Sequence, residues 1–222
     1  MEPVDLGYGY RLRPALDADR DALAEVCLRT GDAGNDATGK EDDRSLLGQL
    51  FAVPYQALEP DFAFVIAGAD GVAGYLLGTP DTASFYRRLL RDWYPALRAR
   101  LSDPGADAAR WRGSDWLRRL VFSPELPFPP ALAAYPAHGH IDLLPEARGR
   151  GIGGRSMRLL MARLAAAGAG GVHLPVHPAN LPAQGFYRHL GFHLCGVDQR
   201  LYDRASPAGG DTALFFALDL PA

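Results

Sequence analysis

Apolar residues alternate with polar ones in some stretches of the 222-residue chain and recur every three to four positions in others. The contrast predicts most of its elements. "YRLRPA", residues 10 to 15, reads as a strand, and "DADRDALAEVCLRT", residues 17 to 30, as a helix with Asp17 or Asp19 near its start as a cap. "GDAGNDATGKEDDR", residues 31 to 44, is an exposed loop by composition, either beside a substrate or simply mobile. "FAFVIAG" and "GVAGYLLGT" flank Ala69 and Asp70 as a strand-turn-strand pair, with Tyr75 on the second strand and Asp81 at its exit. Residues 82 to 137 carry two helical patterns and the proline-rich return "SPELPFPPALAAYP", which should run as extended loop. All three tryptophans, Trp93, Trp111 and Trp116, fall in this segment, either as the wall of an acceptor pocket or as packing residues.

The strand "HGHIDLL", residues 138 to 144, places Ile141 and Leu143 on one face and His140, Asp142 and Leu144 on the other. It leads into "RGRGIGG", where Gly149, Gly151, Gly153 and Gly154 permit a tight turn and close approach of backbone N–H groups to a ligand. Leu159, Leu160 and Leu164 then recur at helical spacing, so the turn opens a helix whose first N–H groups are an anion site. The same letters also describe a plain glycine turn with solvated arginines. Read as Gly149, Gly151 and Gly154, the loop fits a dinucleotide fingerprint, but the ribose-binding carboxylate expected about 20 residues on is missing. Between Glu146 and Asp198 the chain has no Asp or Glu. A phosphate loop of the Gly-Lys-Ser/Thr kind is excluded as well, because the only lysine is Lys40.

Composition narrows the function classes. A chain that is 48% hydrophobic can bury one sizeable core, so residues 1–222 are expected to form a single domain. A net charge of −3 argues against a general nucleic-acid binder, while Arg148, Arg150, Arg155, Arg158, Arg163 and Arg188 give the C-terminal half a local field suited to a phosphate-bearing cofactor. Cys27 and Cys195 are too few for a disulfide framework. Neither is placed like a nucleophile. Arginines interrupt every candidate membrane span, and no metal-ligand cluster stands out, so a cytoplasmic protein without membrane, nucleic-acid or metal partner is expected.

Two spaced blocks carry a family resemblance. Arg148, Gly151 and Gly153 resemble the R/Q-x-x-G-x-G/A pyrophosphate loop of the GCN5-related N-acetyltransferases, and "NLPAQGFYRHLGF", residues 180 to 192, resembles that family's N-x-x-A-x-x-F-Y-x-x-x-G-F block. With "DGVAGYLLGTPD" and "FPPALAAYPAHGHIDLLP" included, most of the chain is similar to the acetyltransferase-like domain at the C-terminus of O-GlcNAcase, where the glycine loop is degraded; here it is intact.

The resemblance implies an α/β fold with a mixed central sheet flanked by helices, and a helical, proline-rich insertion between the third and fourth strands. It implies acetyl-CoA as cosubstrate and acetyl transfer to an acceptor nucleophile, most simply a primary amine, by direct attack in a ternary complex. Leu143 and Leu144 would offer main-chain groups, with Arg148, Gly149, Arg150, Gly151, Ile152, Gly153, Gly154 and Asn180, to the cofactor. Tyr187 would act as acid toward the leaving thiol and Asp142 would orient or deprotonate the acceptor. Asp81, Trp93, His140 and His177 are candidates for the acceptor's surroundings. Tyr187 is otherwise an aromatic anchor, Asn180 a helix cap and Trp93 a packing residue. A homodimer is compatible with the resemblance. Two other classes stand against the enzyme: a silent acyl-CoA-binding regulatory module and a dinucleotide-dependent oxidoreductase.

Overall fold

The computed structural model describes residues 1–124, 130–198 and 213–221. Residues 125 to 129 of the proline-rich return lie outside that set. The N-terminal half contains β1 (Val4–Gly7), β2 (Tyr10–Pro14), α1 (Arg20–Thr30), α2 (Leu46–Phe51), α3 (Val53–Leu58), β3 (Ala63–Gly68) and β4 (Gly71–Thr79). Between β4 and β5 (Ala137–Leu143) stand α4 (Thr82–Arg88), a π-helical turn (Leu89–Trp93), α5 (Tyr94–Arg98) and α6 (Asp115–Phe122). The C-terminal half contains α7 (Ile152–Ala166), β6 (Gly171–Val176), α8 (Leu181–His189), β7 (His193–Asp198) and β8 (Ala213–Asp219).

One mixed sheet runs in the order β1-β2-β3-β4-β5-β6-β8-β7, with β5 and β6 parallel and the other pairs antiparallel. Three elements differ from the sequence reading. Val4–Gly7 is an additional edge strand, so the helical segment follows the fourth strand rather than the third. The short helices α2 and α3 went unassigned because they bury Leu46, Leu47, Leu50, Val53 and Tyr55 on several sides, which erases the helical period. The proline-rich return is not wholly extended, since Pro130–Leu132 forms a 3₁₀ turn.

Alternation along the strands divides the core in two. Tyr75, Leu77 and Val65 face α1 to α6, whereas Leu76, Phe64 and Ile66 face α7 and α8. On that second side Ile152, Met157, Leu160 and Leu164 of α7 are fully buried, each contributing about 1.5–3 kcal/mol. The feature that makes room for a ligand lies between β5 and β6. They pair only at Ala137 with Val172 and at His138 with His173. Beyond that point β6 stays with β8, while β5 remains on β4 as far as Leu143, so the two strands part and leave one edge of β5 open.

Candidate active site

The open edge of β5 meets the glycine turn. Leu144 N–H donates to Ala73 O on β4 at 2.8 Å, and because main-chain groups alternate sides along a strand, Leu143 N–H points the other way, into the cleft. Gly74 permits this close pairing: a Cβ there would lie 2.6 Å from Asp142 O. Across the cleft, Gly149 and Gly151 have φ of 72° and 71°, a left-handed conformation that glycine adopts without strain. Gly151 thereby starts α7, and the first intrahelical bond is Arg155 N–H to Gly151 O at 3.2 Å. The N–H groups of Ile152, Gly153 and Gly154 precede it and face out of the helix end. A cavity of about 460 Å³ opens there, lined by Leu143, Arg148, Gly149, Gly151 to Gly154, Asn180, Phe186 and Tyr187.

A second cavity of about 260 Å³ lies on the α1 to α6 side of the sheet. Ala33, Gly34, Asp142 and Asn180 line both cavities and mark their junction. The loop after α1 is therefore part of the site, and it is held in place: Arg148 donates to Leu143 O at 2.7 Å and to Gly34 O at 2.8 Å. Further along the same loop, Asp42 accepts from Ser114 N–H at 2.6 Å and pairs with Arg118, which joins it to α6.

Among the described residues, Asp142 is the only acidic one on the wall of the second cavity. Burial pushes its carboxyl up to about 6, against the lowering effects of a hydrogen bond from Tyr75 and the charge of Arg148. Tyr75, its register partner on β4, donates to it at 2.5 Å. Next to them the Cys27 thiol is pushed up to about 12, first by burial and then by the Asp142 charge, so it stays protonated. Tyr187 is buried on α8, with its ring against Phe186, Phe192 and Phe216. Burial raises its phenol above the ordinary value, and Asp142 is near enough for its charge to add to the rise. The Tyr187 hydroxyl bonds no protein group among the described residues and its ring lines the first cavity. Toward the floor of the second cavity, His138, His140 and His173 lie close together, and burial holds all three below the ordinary histidine value, His140 and His173 at about 4.

The structure separates the expected site residues. Asp142, His140 and His177 line the second cavity, and eight of the ten expected cofactor residues line the first. Leu144 does not serve as expected: its N–H is taken by Ala73 O, its C=O by Ala147 N–H, and its side chain is buried with the α1 to α6 core. Arg150 also stays outside the cleft, its guanidinium over the Tyr8 ring. Asp81 is the cap of α4, accepting from Ser84 N–H at 2.9 Å, and lines neither cavity. Trp93 donates to Gln49 O and packs into the core; the tryptophan on the cavity wall is Trp116. Asn180 does cap α8, accepting from Ala183 N–H at 3.1 Å, while also lining both cavities.

Residues 127–192 match the model of the Acetyltransferase (GNAT) family. The crystal structure of SsHAT is similar to this chain at 33% identity and a TM-score of 0.82, over 96% of this chain and 100% of that one. The chain belongs to the GNAT family of acetyltransferases. Protein O-GlcNAcase of Rattus norvegicus is 24% identical over 182 residues, 82% of this chain, which spans only 20% of that protein's length. Streptothricin acetyltransferase of Streptomyces lavendulae is 37% identical over 81 residues, 36% of this chain and 42% of that protein.

GNAT-family membership removes the dinucleotide reading, and the family's acetyl donor, acetyl-CoA, agrees with the built geometry: a helix end with spare N–H groups, an unpaired strand edge and a cleft between them. Among the described residues, no group of three or more His, Cys, Asp or Glu is arranged to hold a metal ion, and no helix is long and apolar enough to cross a membrane. Sequence reasoning missed Tyr55, Tyr86, His138 and His173 on the wall of the second cavity. The one available signal was strand alternation, which puts His138 on the same face as His140 and Asp142.

Proposed function

We propose that residues 1–222 act as one acetyltransferase domain that moves the acetyl group of acetyl-CoA to a primary amine by direct attack, without a covalent enzyme intermediate. The observation carrying this reading is that the two cavities meet at Asp142, beside the inward-facing Leu143 N–H. An amine in the second cavity faces the thioester end of the first. Leu143 N–H supports the oxygen that gains charge as the C–N bond forms. Asp142 accepts the amine's proton, for which a carboxylate held near 6 is better suited than an ordinary one. The C–S bond breaks toward sulfur, and Tyr187, kept protonated by burial, hydrogen-bonds the departing thiolate, which takes its proton from solvent. The buried Cys27 thiol is a poor nucleophile at neutral pH, which agrees with direct transfer.

The test is thiol release from acetyl-CoA with a panel of amines, alcohols and amino sugars, each product identified by mass spectrometry. Acetylation of an amine supports the reading. Acetyl-CoA binding with no transfer to any acceptor would overturn it and favour a ligand-binding module.

A further inference from the structure

The acceptor cavity has a chemistry of its own. Its wall includes Tyr55, Phe85, Tyr86, Tyr94 and Trp116, and among the described residues it carries one carboxylate, Asp142, and no arginine or lysine. Aromatic faces attract a cation and apolar surface together.

The floor adds a directional hydrogen-bond chain. Thr82 Oγ1 spends its proton on Pro136 O at 2.7 Å. It therefore accepts from His138 Nδ1–H at 2.8 Å, which leaves His138 Nε2 as a lone pair that accepts from the Tyr55 hydroxyl at 2.5 Å. With its only proton committed, the Tyr55 oxygen remains as an acceptor, and no donor among the described residues meets it. Tyr55 is 4% exposed and His138 2%. The Tyr55 oxygen thus keeps a lone pair with which to accept from a ligand hydroxyl.

Strand geometry sets the spacing. His138, His140 and Asp142 are alternate residues of β5 on one face, so the two ends of this row lie about 13 Å apart. A phenol joined to an amine by a two-carbon chain is shorter than this row. Burial deepens from Asp142 toward His138 and Tyr55, away from the thioester end.

We infer that the acceptor is a small arylalkylamine bearing a hydroxyl on its ring, its amine at Asp142 and its hydroxyl at Tyr55. The inference rests on the acetyl-transfer reading above.

The test compares kcat/KM for tyramine, phenylethylamine, glucosamine and a lysine-containing peptide, with acetyl-CoA saturating. Tyramine should lead, and both arylalkylamines should exceed the sugar and the peptide by at least about ten-fold. Tyr55→Phe should lower kcat/KM for tyramine about ten-fold more than for phenylethylamine, the scale of one lost hydrogen bond. Calorimetric binding of the two amines to the parent protein gives the same comparison without a variant, with tyramine the tighter. Faster transfer to glucosamine or to the peptide would overturn the inference while leaving acetyl transfer standing. Equal binding of tyramine and phenylethylamine would overturn the Tyr55 contact. Acetyl-CoA binding without transfer to any of the four would remove this inference together with the reading beneath it.

Discussion

The two cavities that meet at Asp142 are built from different materials. The side proposed for the cofactor is framed by backbone: a strand edge freed where β5 and β6 part, and a helix start at which Gly149 and Gly151 turn left-handed. Its contributors, apart from Ala33 to Asn35, lie within residues 141 to 187. The acceptor side is made of side chains drawn from Cys27 to Phe215, buried and largely aromatic. A backbone site serves one invariant ligand and tolerates most side chains. A side-chain site is where selectivity is set, and one substitution there changes what fits.

The largest expected effect tests whether the cofactor side also carries chemistry. Tyr187→Phe keeps the ring against Phe186, Phe192 and Phe216 and removes the hydroxyl. Turnover should fall by about 10²- to 10⁴-fold with acetyl-CoA affinity little changed. Parent turnover in the steady state would reduce Tyr187 to packing.

Next in size is the glycine turn. Gly151→Glu puts a negative charge at the helix start and a side chain at φ 71°, so acetyl-CoA should bind about 10²-fold more weakly by calorimetry. Circular dichroism checks that the variant is folded. Undiminished affinity in a folded variant contradicts the backbone cradle.

Asp142 should show a trade between stability and activity. Its folded value of about 6 lies above the ordinary 3.8. Burying the charge therefore costs stability above pH 6, and the cost fades as pH falls toward 4. Asp142→Asn should raise stability at pH 8 by about 1–2 kcal/mol, at the lower end because the carboxyl still faces the cavity, and should not do so at pH 4. Its activity should drop, with partial recovery at high pH where the amine is already neutral. The parent's kcat/KM should fall below pH 6 as Asp142 takes its proton. Denaturation curves and pH-rate profiles check both signs.

The smallest effect concerns the arginines around the turn. CoA should bind a few-fold more tightly than dephospho-CoA, and the gap should shrink as salt rises. Equal affinities at low salt would take the arginines out of recognition and leave the turn alone.

The same contrast explains what the sequence made legible. The cofactor side was readable because its requirements are local: Gly149, Gly151 and Gly153 sit a few residues from the strand that ends at Leu143 and from the helix they open. Leu144 was misplaced by a single residue of strand alternation, which register with Ala73 decides and spacing cannot. The acceptor side was mostly hidden because Tyr55, Tyr86 and His173 become neighbours only through the sheet order and the packing of α3 and α4. Asp81 and Trp93 were drawn in as polar or aromatic residues near the right elements. Their side chains proved to be committed to a cap and to Gln49 O.

The central claim is that the two cavities are one reaction path joined at Asp142. A conjugate in which the CoA sulfur is linked through an acetyl bridge to the nitrogen of tyramine tests it directly by calorimetry. If the path is continuous, the conjugate should bind at least about 10²-fold more tightly than CoA, because the second contact becomes intramolecular. It should also displace both substrates. Binding no tighter than CoA, with tyramine still able to enter, would contradict the account.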